Sequence, residues 1–139
     1  MWYEARLLSD RRLIAAGAAL LAALPATGWA CRCTEPGPER ALRAAQSVAL
    51  GQIVSVDTGT PGKTHFTFSV ERSWKQSLPA EITIEDSAVC PLGPVAGARY
   101  VLFLHQEKSG GFETAKCRGD VAEDKAQATL QILDSAKPK

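Results

Sequence analysis

Four cysteines constrain the fold of this 139-residue chain more than any other feature. Cys31 and Cys33 form a Cys-x-Cys pair, whereas Cys90 and Cys117 stand alone further along. This arrangement lacks the paired spacing of structural zinc sites. We therefore interpret the cysteines as two disulfides, for which the residues themselves leave three pairings open. Residues 31–139, which contain all four cysteines, are enough for one domain with one modest core.

The N-terminus indicates that the chain is exported. Two arginines precede an apolar run over residues 13–24, and the small residues Gly28 and Ala30 follow it. This layout predicts a signal peptide over residues 1–30, cleaved after Ala30, which makes Cys31 the first residue of the mature protein. The apolar run is about half the length that a membrane-spanning helix needs. We therefore expect a secreted or periplasmic protein with no stable membrane span.

Two alternatives for this leader stay open. Arg11 and Arg12 are compatible with a twin-arginine signal as well as with the ordinary positive charge of a signal peptide. A bacterial lipoprotein anchor would acylate the amine of Cys31, although Gly28 stands where such leaders favour leucine.

Charge excludes one class of partner. The leader carries three basic and two acidic residues, so that 13 basic and 13 acidic residues remain after it. A net charge near zero gives no electrostatic support to sequence-independent binding of nucleic acid. We therefore expect no nucleic-acid partner.

Alternating apolar residues predict a mainly β domain. The clearest strand covers residues 65–74, in which Phe66, Phe68, Val70 and Trp74 are expected to share one buried face. Four further strands are predicted at residues 48–56, 81–85, 100–104 and 112–115. A short helix is predicted within residues 36–46 and a C-terminal helix within residues 121–133.

Five short strands are too few for an immunoglobulin sandwich. With the two helices they predict a five-stranded, OB-fold-like closed barrel with a short N-terminal helix, a C-terminal helix and two disulfides, all within residues 31–139. Gly51, in the middle of the first strand, indicates a bulge or a bend of the barrel.

Several segments, taken in order, carry a family resemblance. They are the start at Cys31 and Cys33, the proline-rich entry to the first helix, and residues 48–54, 66–75 and 97–104. Together they resemble the netrin-like module, and within it the N-terminal domain of the tissue inhibitors of metalloproteinases. The resemblance covers nearly all of residues 31–117.

The resemblance implies the disulfides Cys31–Cys90 and Cys33–Cys117 and an inhibitory wedge on the barrel. The residues of this wedge are Cys31, Arg32, Cys33, Thr34, Ser87, Ala88, Val89 and Cys90. In this family the free amine and the carbonyl of the first residue, here Cys31, chelate the catalytic zinc of a protease and displace its water. The resemblance thus implies a secreted, monomeric metalloproteinase inhibitor that has no cofactor and contacts only the partner's zinc.

Arg32 departs from the family's pattern, in which the second residue is small or hydroxylated and points into the specificity pocket of the protease. A long cation in an apolar pocket is costly unless an acidic group meets it. The expected target is therefore a zinc metalloprotease with an acidic pocket. The alternative is a non-inhibitory, exported protein-interaction module of the same fold, since a fold does not determine a function.

The remaining polar and aromatic residues favour a protein that is not an enzyme. No motif places a nucleophile beside His65 or His105. Glu85 and Asp86 are neighbours along a strand and point to opposite faces, so they do not form a catalytic pair. The aromatic residues of the 65–74 strand could stack on a sugar or a base, but their period of two favours a place in the core.

Overall fold

The computed structural model describes residues 31–60 and 62–136 of the chain, so the predicted signal peptide lies outside the described residues. The elements, in order, are helix α1 (Pro38–Ala44), strands β1 (Ser47–Thr60), β2 (Lys63–Trp74), β3 (Glu81–Asp86), β4 (Arg99–Gln106), β5 (Phe112–Thr114) and β6 (Val121–Ala122), a 3₁₀ turn (Glu123–Lys125) and helix α2 (Gln127–Ser135). The fold is mainly β, with one short helix before the strands and one after them.

The strands form a closed barrel. Strand β1 pairs with β2, β2 with β3, β3 with β5 and β5 with β4, and β4 returns to β1. All of these pairings are antiparallel except that of β3 with β5, which is parallel. This five-stranded OB-fold-like barrel confirms the predicted fold class. Strand β6 adds a two-residue pairing to β4.

Two apolar clusters stabilise the barrel. The inner cluster lies within the barrel and contains Ala49, Ile53, Phe66, Phe68, Ile82, Ile84, Leu102 and Leu104. The outer cluster lies between the barrel and the helices and contains Ala41, Ala45, Val48, Leu50, Val101, Phe103, Ala126 and Leu133. Because Phe66 and Phe68 are at most 1% exposed, they belong to the core and are not a platform on which a sugar or base could stack.

Strand β4 is buried on both faces, which explains its uninterrupted apolar run. Val101 and Phe103 point to the outer cluster, whereas Leu102 and Leu104 point to the inner cluster. A strand covered on both sides needs no polar face, so the alternation that marks the other strands is absent here.

A β-bulge in β2 overturns one prediction about its faces. Two consecutive residues of β1 pair with Val70 and Arg72, which leaves Glu71 as an extra residue on β2. The extra residue moves the alternation of side chains by one position. Trp74 therefore packs against the outer cluster, and the prediction that it shares a face with Phe68 is wrong.

Gly51 of β1 lies beside this bulge. A Cβ atom at position 51 would lie 1.8 Å from the carbonyl oxygen of Ser69, so the close approach of the two backbones requires glycine. The register shift next to Gly51 confirms the bulge that its position in the sequence indicates.

The C-terminal helix begins later than predicted. The prediction placed it within residues 121–133, but Val121 belongs to β6 and pairs with Val101, and α2 begins at Gln127. The backbone pairing with β4 overrides the helical tendency of the intervening residues. Neither helix within the described ranges is long and apolar enough to cross a membrane.

Candidate functional site

Two disulfides hold the N-terminal segment against the rim of the barrel. Cys31 is bonded to Cys90, with their Cα atoms 5.7 Å apart, and Cys33 is bonded to Cys117, with their Cα atoms 6.0 Å apart. This is the pairing that the resemblance implies. The bonded residues are 59 and 84 positions apart in sequence, and closing loops of this size stabilises a fold by about 4 kcal/mol per bond in the chain-entropy model.

The residues of the predicted wedge form two neighbouring segments. Residues 31–34 precede α1 without regular structure, and residues 87–90 follow β3. The sulfur of Cys31 lies 3.7 Å from the carbonyl oxygen of Val89. The side chains of residues 32–34 and Ala88 are exposed, and Val89 is 86% exposed. The two segments thus present a continuous, cross-linked surface to solvent.

Asp86, the last residue of β3, organises the loop that carries Cys90. Its side chain is only 4% exposed, and its two carboxylate oxygens accept hydrogen bonds from the backbone amides of Leu92 (2.7 Å) and Gly93 (3.1 Å). A buried carboxylate needs such donors, and the loop gains a fixed path from them. The sequence prediction rejected a catalytic role for Asp86 but missed this positioning role, which an acid at a strand end before a proline- and glycine-rich loop could have indicated.

The chain after β5 fixes the same loop from its other side. The amide of Ser87 donates to the carbonyl of Thr114 (2.9 Å), and the amide of Lys116 donates to the carbonyl of Cys90 (2.8 Å). Cys117 follows at once, with a positive φ of 72°. The hydrogen bond from Lys116 to Cys90 therefore holds the loop of Cys90 beside the residue that precedes Cys117.

Asp120 anchors the segment that follows the second disulfide. One oxygen of its carboxyl group accepts from the amide of Phe103 (2.6 Å), and the hydroxyl of Thr114 donates to the other. Burial raises the pKa of Asp120 to about 7, against the opposing effect of these hydrogen bonds. Gly119, with φ of 104°, lies so close to α1 that a Cβ atom there would be 2.5 Å from the Cβ of Ala41. The sequence analysis assigned no role to Asp120.

The two histidines belong to different strands. His65 lies on β2 with its Nε2 4.0 Å from a carboxylate oxygen of Glu85, and His105 lies on β4. Burial, reinforced by the nearby positive charge of Arg118, lowers the pKa of His105. Within residues 31–60 and 62–136, no three His, Cys, Asp or Glu side chains are grouped so that they could hold a metal ion.

Neither a scan against protein-family models nor a search of curated proteins finds a match for this chain. The netrin-like resemblance therefore stays a proposal, carried by the segments of sequence that suggested it.

Proposed function

We propose that the chain is an exported inhibitor of a zinc metalloprotease, of the netrin-like kind, and that the wedge is its inhibitory surface. The observation that carries the proposal is the position of Cys31, which is cross-linked to Cys90 beside the exposed side chain of Val89. The proposal requires cleavage after Ala30, because only then is the nitrogen of Cys31 a free amine.

The chemistry of a free N-terminal cysteine supports this function. An α-amine has a pKa near 8, so a substantial fraction of it is neutral at physiological pH and carries a lone pair. The amine nitrogen and the carbonyl oxygen of Cys31 are close enough within one residue to chelate a single ion. A catalytic zinc keeps one coordination position open for water or substrate, and a chelating group that occupies this position blocks the enzyme.

Rigidity of the wedge supports tight binding. The disulfides, the carboxylate of Asp86 and the carboxyl group of Asp120 fix the segments around the wedge before any partner arrives. A preorganised surface loses less conformational entropy on binding than a flexible terminus would. The N-terminal segment therefore has the features of an inhibitor that binds as a fixed shape.

Arg32 determines the kind of protease that the wedge would fit. Its side chain is exposed and follows directly after Cys31, so it would lie next to the metal in the complex. A guanidinium group removed from water needs a carboxylate partner. We therefore propose a target whose specificity pocket contains an acidic residue beside the zinc.

The first experiment determines the chemical state of the N-terminus. Intact-mass measurement of the exported protein should give a chain that begins at Cys31 and lacks four thiol hydrogens. An acyl group on Cys31, or a chain that retains Ala30, would contradict zinc chelation by the amine.

The second experiment compares two extended chains in inhibition assays against zinc metalloproteases with acidic and with apolar specificity pockets. One variant carries an extra alanine between Ala30 and Cys31, and its matched control carries an extra alanine after Lys139. The N-terminal extension should weaken inhibition by about 100-fold, which corresponds to about 3 kcal/mol of binding free energy, whereas the control should inhibit normally.

The same assays separate the proposed inhibitor from the alternative, a non-inhibitory interaction module. Arg32→Thr should weaken inhibition of the enzymes with acidic pockets, because the ion pair between the guanidinium and the acidic group is lost. The same substitution should improve inhibition of the enzymes with apolar pockets, because no guanidinium has to be removed from water. Equal inhibition by both extended chains would contradict the proposal. No inhibition of any protease in the panel by a processed, oxidised chain would favour the interaction module.

A further inference from the structure

A groove separate from the wedge lies where α1, the end of β2 and α2 meet. Its volume is about 950 Å³, and it is open to solvent. We call it the Trp74 groove; among the residues that line it are Leu42, Arg43, Trp74, Lys75, Leu133 and Asp134. None of its residues belongs to the wedge, so the groove can act whether or not the chain inhibits a protease.

The base of the Trp74 groove is apolar and fixed. Leu133 is 1% exposed and belongs to the outer cluster, and Leu42 and Trp74 pack against that cluster while remaining partly exposed. The β2 bulge is what turns Trp74 to this side of the sheet. Partly exposed tryptophan on a rigid base is typical of the centre of binding surfaces.

Two cations, Arg72 and Lys75, lie beside this apolar base. The guanidinium of Arg72 lies 4.7 Å from the centre of the Trp74 ring and is paired with Asp134. The ammonium group of Lys75 donates to the carbonyl oxygens of Leu42 (2.8 Å) and Ala45 at the end of α1. These contacts hold two cations at the edge of the groove in fixed positions.

Arg43 is the cation of the groove whose guanidinium is available to pair with an anionic ligand. Its side chain is exposed on the wall of the groove, and it forms no salt bridge with any carboxylate of the described residues. Among the described residues, Arg43 and Lys75 are the cations that line the groove, and Asp134 is the acidic residue of the lining; Asp134 is already paired with Arg72, which lies beside the Trp74 ring. The excess of positive charge makes the groove complementary to an anion.

We propose that the Trp74 groove binds an acidic peptide segment that also carries an apolar side chain. The apolar side chain lies on the partly exposed side chains of Trp74 and Leu42, and a neighbouring carboxylate pairs with Arg43. The combination of an apolar contact with a charge-assisted hydrogen bond defines both the position and the chemistry of the partner segment.

Titration of the full chain with two capped five-residue peptides tests the proposal. One peptide alternates glutamate with leucine, and the other has lysine in place of glutamate. The chain carries Trp2→Phe and Trp29→Phe, so that Trp74 is its only tryptophan, and calorimetry accompanies the fluorescence. The glutamate peptide should bind saturably and shift the emission of Trp74, and added salt should weaken binding. The lysine peptide should not bind.

Matched variants of α1 locate the binding site. Arg43→Glu should weaken binding of the glutamate peptide by about tenfold or more, and Arg43→Gln by a smaller factor. Arg40→Glu, at an exposed position of the same helix outside the groove, should leave affinity within about twofold. Absence of saturable binding in calorimetry, equal binding of the lysine peptide, or equal effects of the two glutamate variants would overturn the proposal. Inhibition of a protease by the Arg43 variants should be unchanged, so the outcome is independent of the proposed function.

Discussion

Replacement of Asp120 by asparagine should remove a distinct pH dependence of stability. Burial raises the pKa of this carboxyl group from its ordinary value of 3.8 to about 7 in the folded protein. Between these two pH values the folded state binds a proton that the unfolded state has released, so the free energy of unfolding falls as pH rises. This loss of stability is complete above the pKa of Asp120 in the folded state and absent below its pKa in the unfolded state.

The size of the effect follows from the two pKa values of Asp120. Their difference is about three pH units, and at 1.36 kcal/mol per unit the stability lost between pH 4 and pH 8 is about 4 kcal/mol. In Asp120→Asn the amide oxygen still accepts from the backbone of Phe103, and the amide nitrogen donates to the hydroxyl of Thr114 in place of accepting from it. The variant should therefore be more stable than the original chain at pH 8, and the difference should shrink as pH falls.

Urea denaturation of the oxidised protein from pH 4 to pH 8 measures this difference. The free energy of unfolding of each protein is plotted against pH, and the curve of the original chain is subtracted from that of Asp120→Asn. The subtraction cancels the contributions of groups that both proteins contain. One such group is His105, whose lowered pKa makes the free energy of unfolding rise with pH. Asp124→Asn, at an exposed position of the 3₁₀ turn, is the control and should follow the original chain at every pH. Parallel curves for the original chain and Asp120→Asn would show that this carboxyl group is not held in a raised-pKa state.

Three further substitutions test the packing around the wedge and one ion pair network. Asp86→Ala should lower the free energy of unfolding by about 1–3 kcal/mol in urea denaturation, because the backbone amides of Leu92 and Gly93 lose the acceptor that the buried carboxylate supplies. Gly119→Ala should lower it by about 1–3 kcal/mol, whereas Gly111→Ala, whose added Cβ meets only ordinary contacts, should stay close to the original chain. Arg99→Gln should change it by less than about 1 kcal/mol, since Glu71 is exposed and Glu123 is half-exposed, so that solvent screens both ion pairs; a loss of several kcal/mol would contradict this.

The strands could be predicted because their local pattern reflects their surroundings in the fold. The alternation in residues 65–70 and the apolar run at residues 100–104 follow directly from burial on one face and on two faces. Gly51 could be interpreted because a glycine within a strand indicates a close backbone approach. These features need no knowledge of distant parts of the chain.

The features that the sequence did not predict depend on contacts between distant segments. Glu71 looks like any other polar strand residue, and only its pairing with β1 makes it the bulged position that turns Trp74 outward. The start of α2 is set by the pairing of Val121 with β4. Asp86 looks like the polar end of a strand and Asp120 like a surface residue, and their roles arise from backbone amides and the Thr114 hydroxyl that folding brings to them.

The position of the cysteines has a consequence for how the protein matures. All four lie outside the helices and strands, in the N-terminal segment and in two loops. Reduction consequently removes no hydrogen bond of the sheet and no side chain from either apolar cluster, and it releases only the ends that the sulfurs join. The strand pairings of the barrel therefore do not depend on the sulfurs, and oxidation adds only the attachment of the N-terminal segment to the two loops.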